Sequence, residues 1–339
     1  TDSFWHRKGR IRGRRSDQNE YKLRCALAFS QSTPITMTST DASGELKQKY
    51  MDSIPNAKVW NNYIWPGAVV STDHLTELQD AEFGPNDVIL VSYPKSGTTW
   101  CSEVLSGIVH EGDTELIKTI PMLDRVPWLD LDPALVTPIA KTTSPKKRIY
   151  FTHLAIDSLP KSAKEGKCKV IYVARNPKDQ AVSYYHFHRS VAFFGTQTDL
   201  SWKDYLNYFV TGIICCGGWF EHVLGYWKFA KGNSNVKFIK YEDMKRNLVN
   251  EVKALEDFIG VSLNEEQRKK VVAHCSFDSM KNNKMVNKED DDLFNDKVST
   301  FLRKGIVGDW KNHFTVAQNE QFDELYKEKM EGSGLDFEF

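Results

Sequence analysis

The sequence predicts an α/β protein: one domain with a central parallel sheet flanked by helices and a P-loop-like anion-binding turn. Three observations carry that expectation. Short strand-like runs alternate with helical ones in βαβα order. The strands are almost continuously apolar, the pattern of a sheet covered on both faces. The first of them breaks off into a polar, glycine-containing turn just before a helix.

The chain opens with TDSFWHRKGRIRGRRSDQNEYKLR, basic and without periodicity, and runs into a Ser/Thr-rich stretch. Residues 1–43 therefore read as a disordered basic extension, and residues 44–339 as the folded domain. Val88–Val91 forms the first buried strand, and Gly97–Val109 the helix after the turn. Strands follow at Arg148–Thr152, Lys169–Arg175 and Val236–Tyr241, all β-branched or aromatic. Pro177–His188, Trp202–Phe209, Trp219–Lys231 and Glu242–Ile259 fit helices. Ligands of such sheets sit beyond the carboxyl ends of the strands. YPKSG, THL, ARN and YED all fall there, so residues far apart in sequence converge.

Composition excludes several classes. A chain of 339 residues, 40% apolar and 12% aromatic, supports a substantial core. Lys plus Arg equals Asp plus Glu at 45 each, against a global basic surface built for nucleic acid. Cys25, Cys101, Cys168, Cys215, Cys216 and Cys275 form no CxxC pair and accompany no histidine cluster at zinc spacing. They read as reduced thiols. With no apolar run near the roughly 20 residues a bilayer demands, the expectation is a cytoplasmic protein with no membrane or nucleic-acid partner.

The turn, YPKSGTTW, suits an anion. A helix N-terminus and its amides favour negative charge, Gly97 permits close approach, and Lys95, Ser96, Thr98 and Thr99 add a cation and hydroxyl donors. A nucleotide-triphosphate enzyme would want GxxxxGK[ST] and acidic magnesium ligands. Here Lys95 precedes the glycine and no such carboxylate follows a strand, so protein donors alone hold the anion and no metal is expected.

YPKSGTTW, RVPW, THL, IYVARNPKD, AVSYYHF, YEDMK, Ser276-Phe277 followed by Met280, FLRKGIVGDW and KNHFTVAQNE occur in an order that resembles the cytosolic sulfotransferases, over about Trp60 to the C-terminus. The resemblance implies 3′-phosphoadenosine-5′-phosphosulfate (PAPS) as donor, its product PAP, and sulfuryl transfer to an acceptor hydroxyl or amine. A sulfuryl group carries less charge than a phosphoryl group, so Lys95 and the turn can neutralise the leaving phosphate.

The same resemblance implies roles residue by residue. His153, at a strand end and with an ordinary pKa of about 6.5, becomes the general base, with Lys95 and Ser183 completing the catalytic set. Arg175, Ser183, Arg303, Lys304 and Gly305 answer the 3′-phosphate. Trp100 and Phe277 offer faces to adenine and Tyr241 a hydroxyl at its edge. Ser276, Met280, Phe301 and Leu302 belong to the same donor motifs. Trp128, Phe151, Phe187, Val191 and Phe194 fall where relatives line an apolar acceptor cavity, so a phenol or steroid-like alcohol fits better than a sugar polymer. His186 and His188 are lesser candidates for that cavity. Lys311, Thr315, Val316 and Glu320 match a small dimerisation motif and predict a weak homodimer.

Two departures stand out. Many relatives carry lysine where this chain has Phe151, which removes a cation facing the transferring group. Cys275 stands where a hydroxyl residue often precedes Ser-Phe. Two other readings therefore accompany the enzyme: a non-catalytic module binding PAPS or PAP, and a P-loop nucleotide kinase.

Overall fold

The computed structural model describes residues 42–135, 147–288 and 291–339. Most of the expected basic extension lies outside them. The first helix, Ala42–Asp52, starts two residues before the expected domain boundary.

Among the described residues, six strands form two sheets. The hairpin β1 (Ala57–Trp60) and β2 (Tyr63–Pro66) is antiparallel. Its two-residue turn, Asn61-Asn62, has φ of 47° and 66°, the left-handed pair a tight hairpin with matching twist demands. The central sheet holds β3 (Asp87–Ser92), β4 (Arg148–Thr152), β5 (Lys169–Ala174) and β6 (Val236–Lys240), all parallel, in the order β4-β3-β5-β6. Alternate residues point to opposite faces. Ile89, Val91, Val170 and Tyr172 enter one core, and Val88, Leu90, Ile171 and Val173 the other. Near-continuous apolarity follows from two buried faces.

Every expected strand is present. One helix differs: the run expected over Glu242–Ile259 is two helices, Tyr241–Arg246 and Leu248–Ile259. Asn247 interrupts them with φ −153° and ψ 81°, and its side chain accepts from the Asn250 amide at 3.1 Å. An asparagine that can cap a helix start competes with helix continuation. The parallel order brings the carboxyl ends of all four strands to one edge, where Tyr93, His153, Arg175 and Tyr241 each follow a strand. Among the described residues, no helix is long and apolar enough to cross a membrane.

Candidate active site

One cavity of about 1040 Å³ opens along that edge. Its wall includes Lys95, Gly97, Thr98, Thr99, Trp100, Arg175, Ser183, Tyr241, Phe277, Met280, Phe301, Leu302, Arg303, Lys304 and Gly305 on the expected donor side. Trp128, Phe151, His153, Phe187 and Phe194 line it too, so donor and acceptor candidates share one space.

The turn after β3 is shaped by left-handed backbone at Lys95, φ 72°, and Gly97, φ 102°. A Cβ on Gly97 would stand 2.7 Å from the Tyr241 ring, so only glycine lets the turn lie on that ring. A Cβ on Gly305 would likewise meet the Phe277 ring at 2.3 Å. Thr98 Oγ1 is bonded to Ser92 Oγ at 2.6 Å, tying the helix start to the strand end.

Four cations converge here: Lys95, Arg175, Arg303 and Lys304. Among the described residues no carboxylate pairs with Lys95; its ammonium lies 4.2 Å from the Phe187 ring centre and 4.7 Å from that of Phe301. Burial, then Arg175 and Arg303, lower its pKa to about 7. Arg175 is buried over the Tyr241 ring at 4.4 Å and donates to the carbonyls of Lys95 and Ile306 at 3.3 and 3.1 Å. Arg303 and Lys304 pair with buried Asp309 at 2.6 and 2.7 Å. Burial opposes ionisation of Asp309, but hydrogen bonds from Lys304, Asn312 and Arg303 outweigh it and hold the carboxyl well below the usual range. The Nε atoms of Arg175 and Arg303 are buried without a hydrogen-bond partner. Unpaired buried donors on an unpaired cation's wall are the chemistry that fits a multiply charged anion.

At the acceptor end His153 is held in one tautomer. Its Nδ1 lies 2.7 Å from the Ser92 carbonyl oxygen, which can only accept, so Nδ1 carries the proton and Nε2 the lone pair. Burial drives its pKa below the ordinary histidine value, outweighing the Asp130 carboxylate, which acts the other way. Trp128 and Phe151 stack at 5.5 Å, and the imidazole stands edge-on to both, at 5.4 and 5.8 Å. Phe151 therefore faces the cavity beside the histidine, as its position two residues before His153 on one strand face predicts.

Several expected residues sit elsewhere. The Ser96 side chain turns inward, fully buried, donating to the Tyr93 carbonyl at 2.9 Å and accepting from Gln180 Nε2 at 2.8 Å. Ser276 is exposed and caps the Phe277–Lys281 helix through the Ser279 amide. Val191 follows the last helical residue, takes extended backbone and is wholly buried against Phe294. His188 is a core residue whose Nε2 accepts from Tyr50 at 2.7 Å while Nδ1 donates to the Tyr184 carbonyl at 3.0 Å. His186 packs beside His313, off the cavity wall, and burial lowers its pKa to about 4. Cys275, by contrast, is on the cavity wall though buried, and the Trp100 indole N–H donates to its carbonyl at 2.8 Å. Lys311, Thr315, Val316 and Glu320 are exposed, and Thr315 also caps the Val316–Met330 helix.

Asp130 was missed by the sequence reading. Fully buried, it accepts from the His153 amide at 2.7 Å, from Trp128 Nε1 at 2.8 Å and from Thr152 Oγ1. One carboxylate thus ties the Trp128 loop to the end of β4. An aspartate in WLDLD looks like any polar loop residue, and nothing local marks it.

Residues 85–334 match the model of the sulfotransferase domain family. The chain is 42% identical over 294 residues to sulfotransferase 1A1 of Canis lupus familiaris, covering 85% of this chain and 95% of that protein. Among solved structures it is similar to mouse sulfotransferase SULT7A1 complexed with PAP, with a TM-score of 0.67, 34% identity and coverage of 82% and 95% of the two chains. It is also similar to retinol dehydratase in a complex with retinol and PAP, with a TM-score of 0.75 at 25% identity, covering 91% and 100%.

Proposed function

The chain belongs to the sulfotransferase family, and from that premise we propose how its cavity works. It transfers a sulfuryl group from PAPS to a small acceptor. The finer reading is a lipophilic hydroxyl acceptor, a phenol or steroid-like alcohol, activated by His153. As the acceptor oxygen forms its bond to sulfur, its proton passes to His153 Nε2, and the bond from sulfur to the 5′-phosphate oxygen breaks. Lys95 meets the charge that grows on the departing phosphate. Arg175, Ser183, Arg303 and Lys304 answer the 3′-phosphate, the group that distinguishes this donor from ordinary adenine nucleotides.

The observation that carries this reading is the His153 tautomer: an imidazole whose Nδ1–H is committed to a main-chain carbonyl has its basic nitrogen free, in the cavity that also holds Lys95. The aromatic wall supports an apolar acceptor. Equal numbers of acids and bases, the absence of an apolar spanning helix among the described residues and reduced buried thiols support a cytoplasmic site of action. The exposed Lys311–Glu320 face supports pairing of two copies.

The test is turnover with radiolabelled PAPS over a panel of phenols and steroid alcohols, alongside PAP titration. His153→Ala should lower turnover about 10²- to 10⁴-fold and leave PAP affinity unchanged. Near-normal turnover in the variant removes the base assignment. PAP binding with no sulfation of any acceptor makes the protein a nucleotide-binding module instead.

A further inference from the structure

We propose that His222 is a positioning residue for sulfuryl transfer, holding the main chain of His153 and linking it to the turn that carries Lys95. The inference rests on the reading of His153 as the base.

His222 lies in the Trp219–Ala230 helix, 2% exposed and off the cavity wall. Its Nε2 is 3.1 Å from the His153 carbonyl oxygen. A carbonyl only accepts, so Nε2 carries the proton and Nδ1 is left as an acceptor. Tyr172 of β5 supplies the matching donor, its hydroxyl 2.8 Å from Nδ1. The ring of Tyr93, two residues before Lys95, packs edge-on against the same imidazole at 5.5 Å. The hydrogen-bond path runs from the Tyr172 hydroxyl through the His222 imidazole to the His153 carbonyl, with each donor facing an acceptor, and the Tyr93 ring buttresses the imidazole from the donor-turn side.

Burial fixes the direction of this chain. It lowers the His222 pKa to about 4, so the ring stays neutral and cannot turn both nitrogens into donors. His153 is thereby gripped at three points: its amide by Asp130, its Nδ1 by Ser92 and its carbonyl by His222. Ser92 holds the ring from the end of β3, where it also meets Thr98 of the donor turn. His222 adds a second link, from the main chain of His153 to β5 and to the Tyr93 ring. A base must stand within a few tenths of an ångström of its proton, and misplacement by about 1 Å can cost roughly 10²-fold in rate.

The experiment is a double-mutant cycle on turnover, using the best acceptor from the panel, with PAP affinity measured in parallel. His222→Leu keeps the bulk and removes both nitrogens; we expect kcat to fall about 10- to 10²-fold with PAP affinity and acceptor KM nearly unchanged. His222→Gln, which keeps a donor for the carbonyl, should recover most of the loss. In a His153→Ala background His222→Leu should cost nothing more, because it acts through His153. Tyr172→Phe deletes one oxygen and should give a smaller fall, which keeps the test open if His222→Leu does not fold. Full turnover in His222→Leu, a loss that persists in the His153→Ala background, or a parallel loss of PAP affinity each overturns the proposal. Where His222→Leu does not fold, unchanged turnover in Tyr172→Phe overturns it. Full turnover in His153→Ala alone overturns the base reading beneath it instead.

Discussion

Lys95 gives the sharpest quantitative expectation, because its proton should be coupled to the donor. In the free protein burial and two neighbouring guanidinium groups hold its pKa at about 7. A bound polyanion reverses that balance and restores the charged form. At pH 8.5 a group of pKa about 7 is only about 3% protonated, whereas beside the nucleotide it is almost fully so. PAP binding should then take up close to one proton, falling to about half a proton at pH 7. Both nucleotide phosphates, with second pKa values near 6, are fully ionised at pH 8.5 and contribute little. Since the protonated form is the one that binds, affinity should weaken about tenfold per pH unit above 7. Calorimetry at pH 8.5 in two buffers of different ionisation enthalpy reads the uptake directly. Lys95→Arg, always charged, should show no uptake and a flat affinity from pH 7 to 9. No uptake by the natural protein, or undiminished uptake by Lys95→Arg, would refute the reasoning.

Two further expectations concern the acceptor side and the surface. Phe151→Lys puts a cation beside His153 and in contact with the cavity; it should raise turnover on a small phenol, by up to about 10²-fold, and weaken a bulky apolar acceptor. Paired steady-state kinetics at saturating PAPS check it, and unchanged values for both acceptors refute it. Val316, 75% exposed, lies in the expected dimer motif, so Val316→Glu should shift a dimer to monomer in sedimentation with monomer stability changed by less than about 0.5 kcal/mol. A dimer that persists in the variant, or a natural protein that is already monomeric, places the contact elsewhere or nowhere.

What could be read from the sequence was what local chemistry encodes. The anion turn, the four sheet strands and the strand-end histidine all announce themselves within a few residues, and the alternation along β4 puts Phe151 and His153 on one face. The Asn61-Asn62 turn was legible too, between AKVW and YIWP, and went unread. The rest depends on contacts between distant segments. Ser96 looks like a donor-facing hydroxyl until Gln180, 84 positions later, meets it in the core. Val191 continues the helical spacing of Phe187, but the helix stops at Ser190 and the side chain turns into the core. Asp130 and His222 carry no motif. Their significance lies only in which main-chain groups of His153 they meet after folding.

The strand order has a consequence for how such a protein is made. β3 must wait for β5, with Val88 opposite Lys169, and β5 for β6, with Val170 opposite Val236, before the sheet closes. The basic loop at Arg303 arrives later still. During synthesis at roughly 5–20 residues per second, many seconds separate Lys95 from its last cationic companions, and parallel pairing over such separations is slow. Until then the nascent chain has no complete donor site to steady it. A truncated product ending between His153 and Gly305 would carry the anion turn and the histidine yet lack a complete nucleotide pocket, so premature termination late in the message should be as damaging to donor binding as termination near its start.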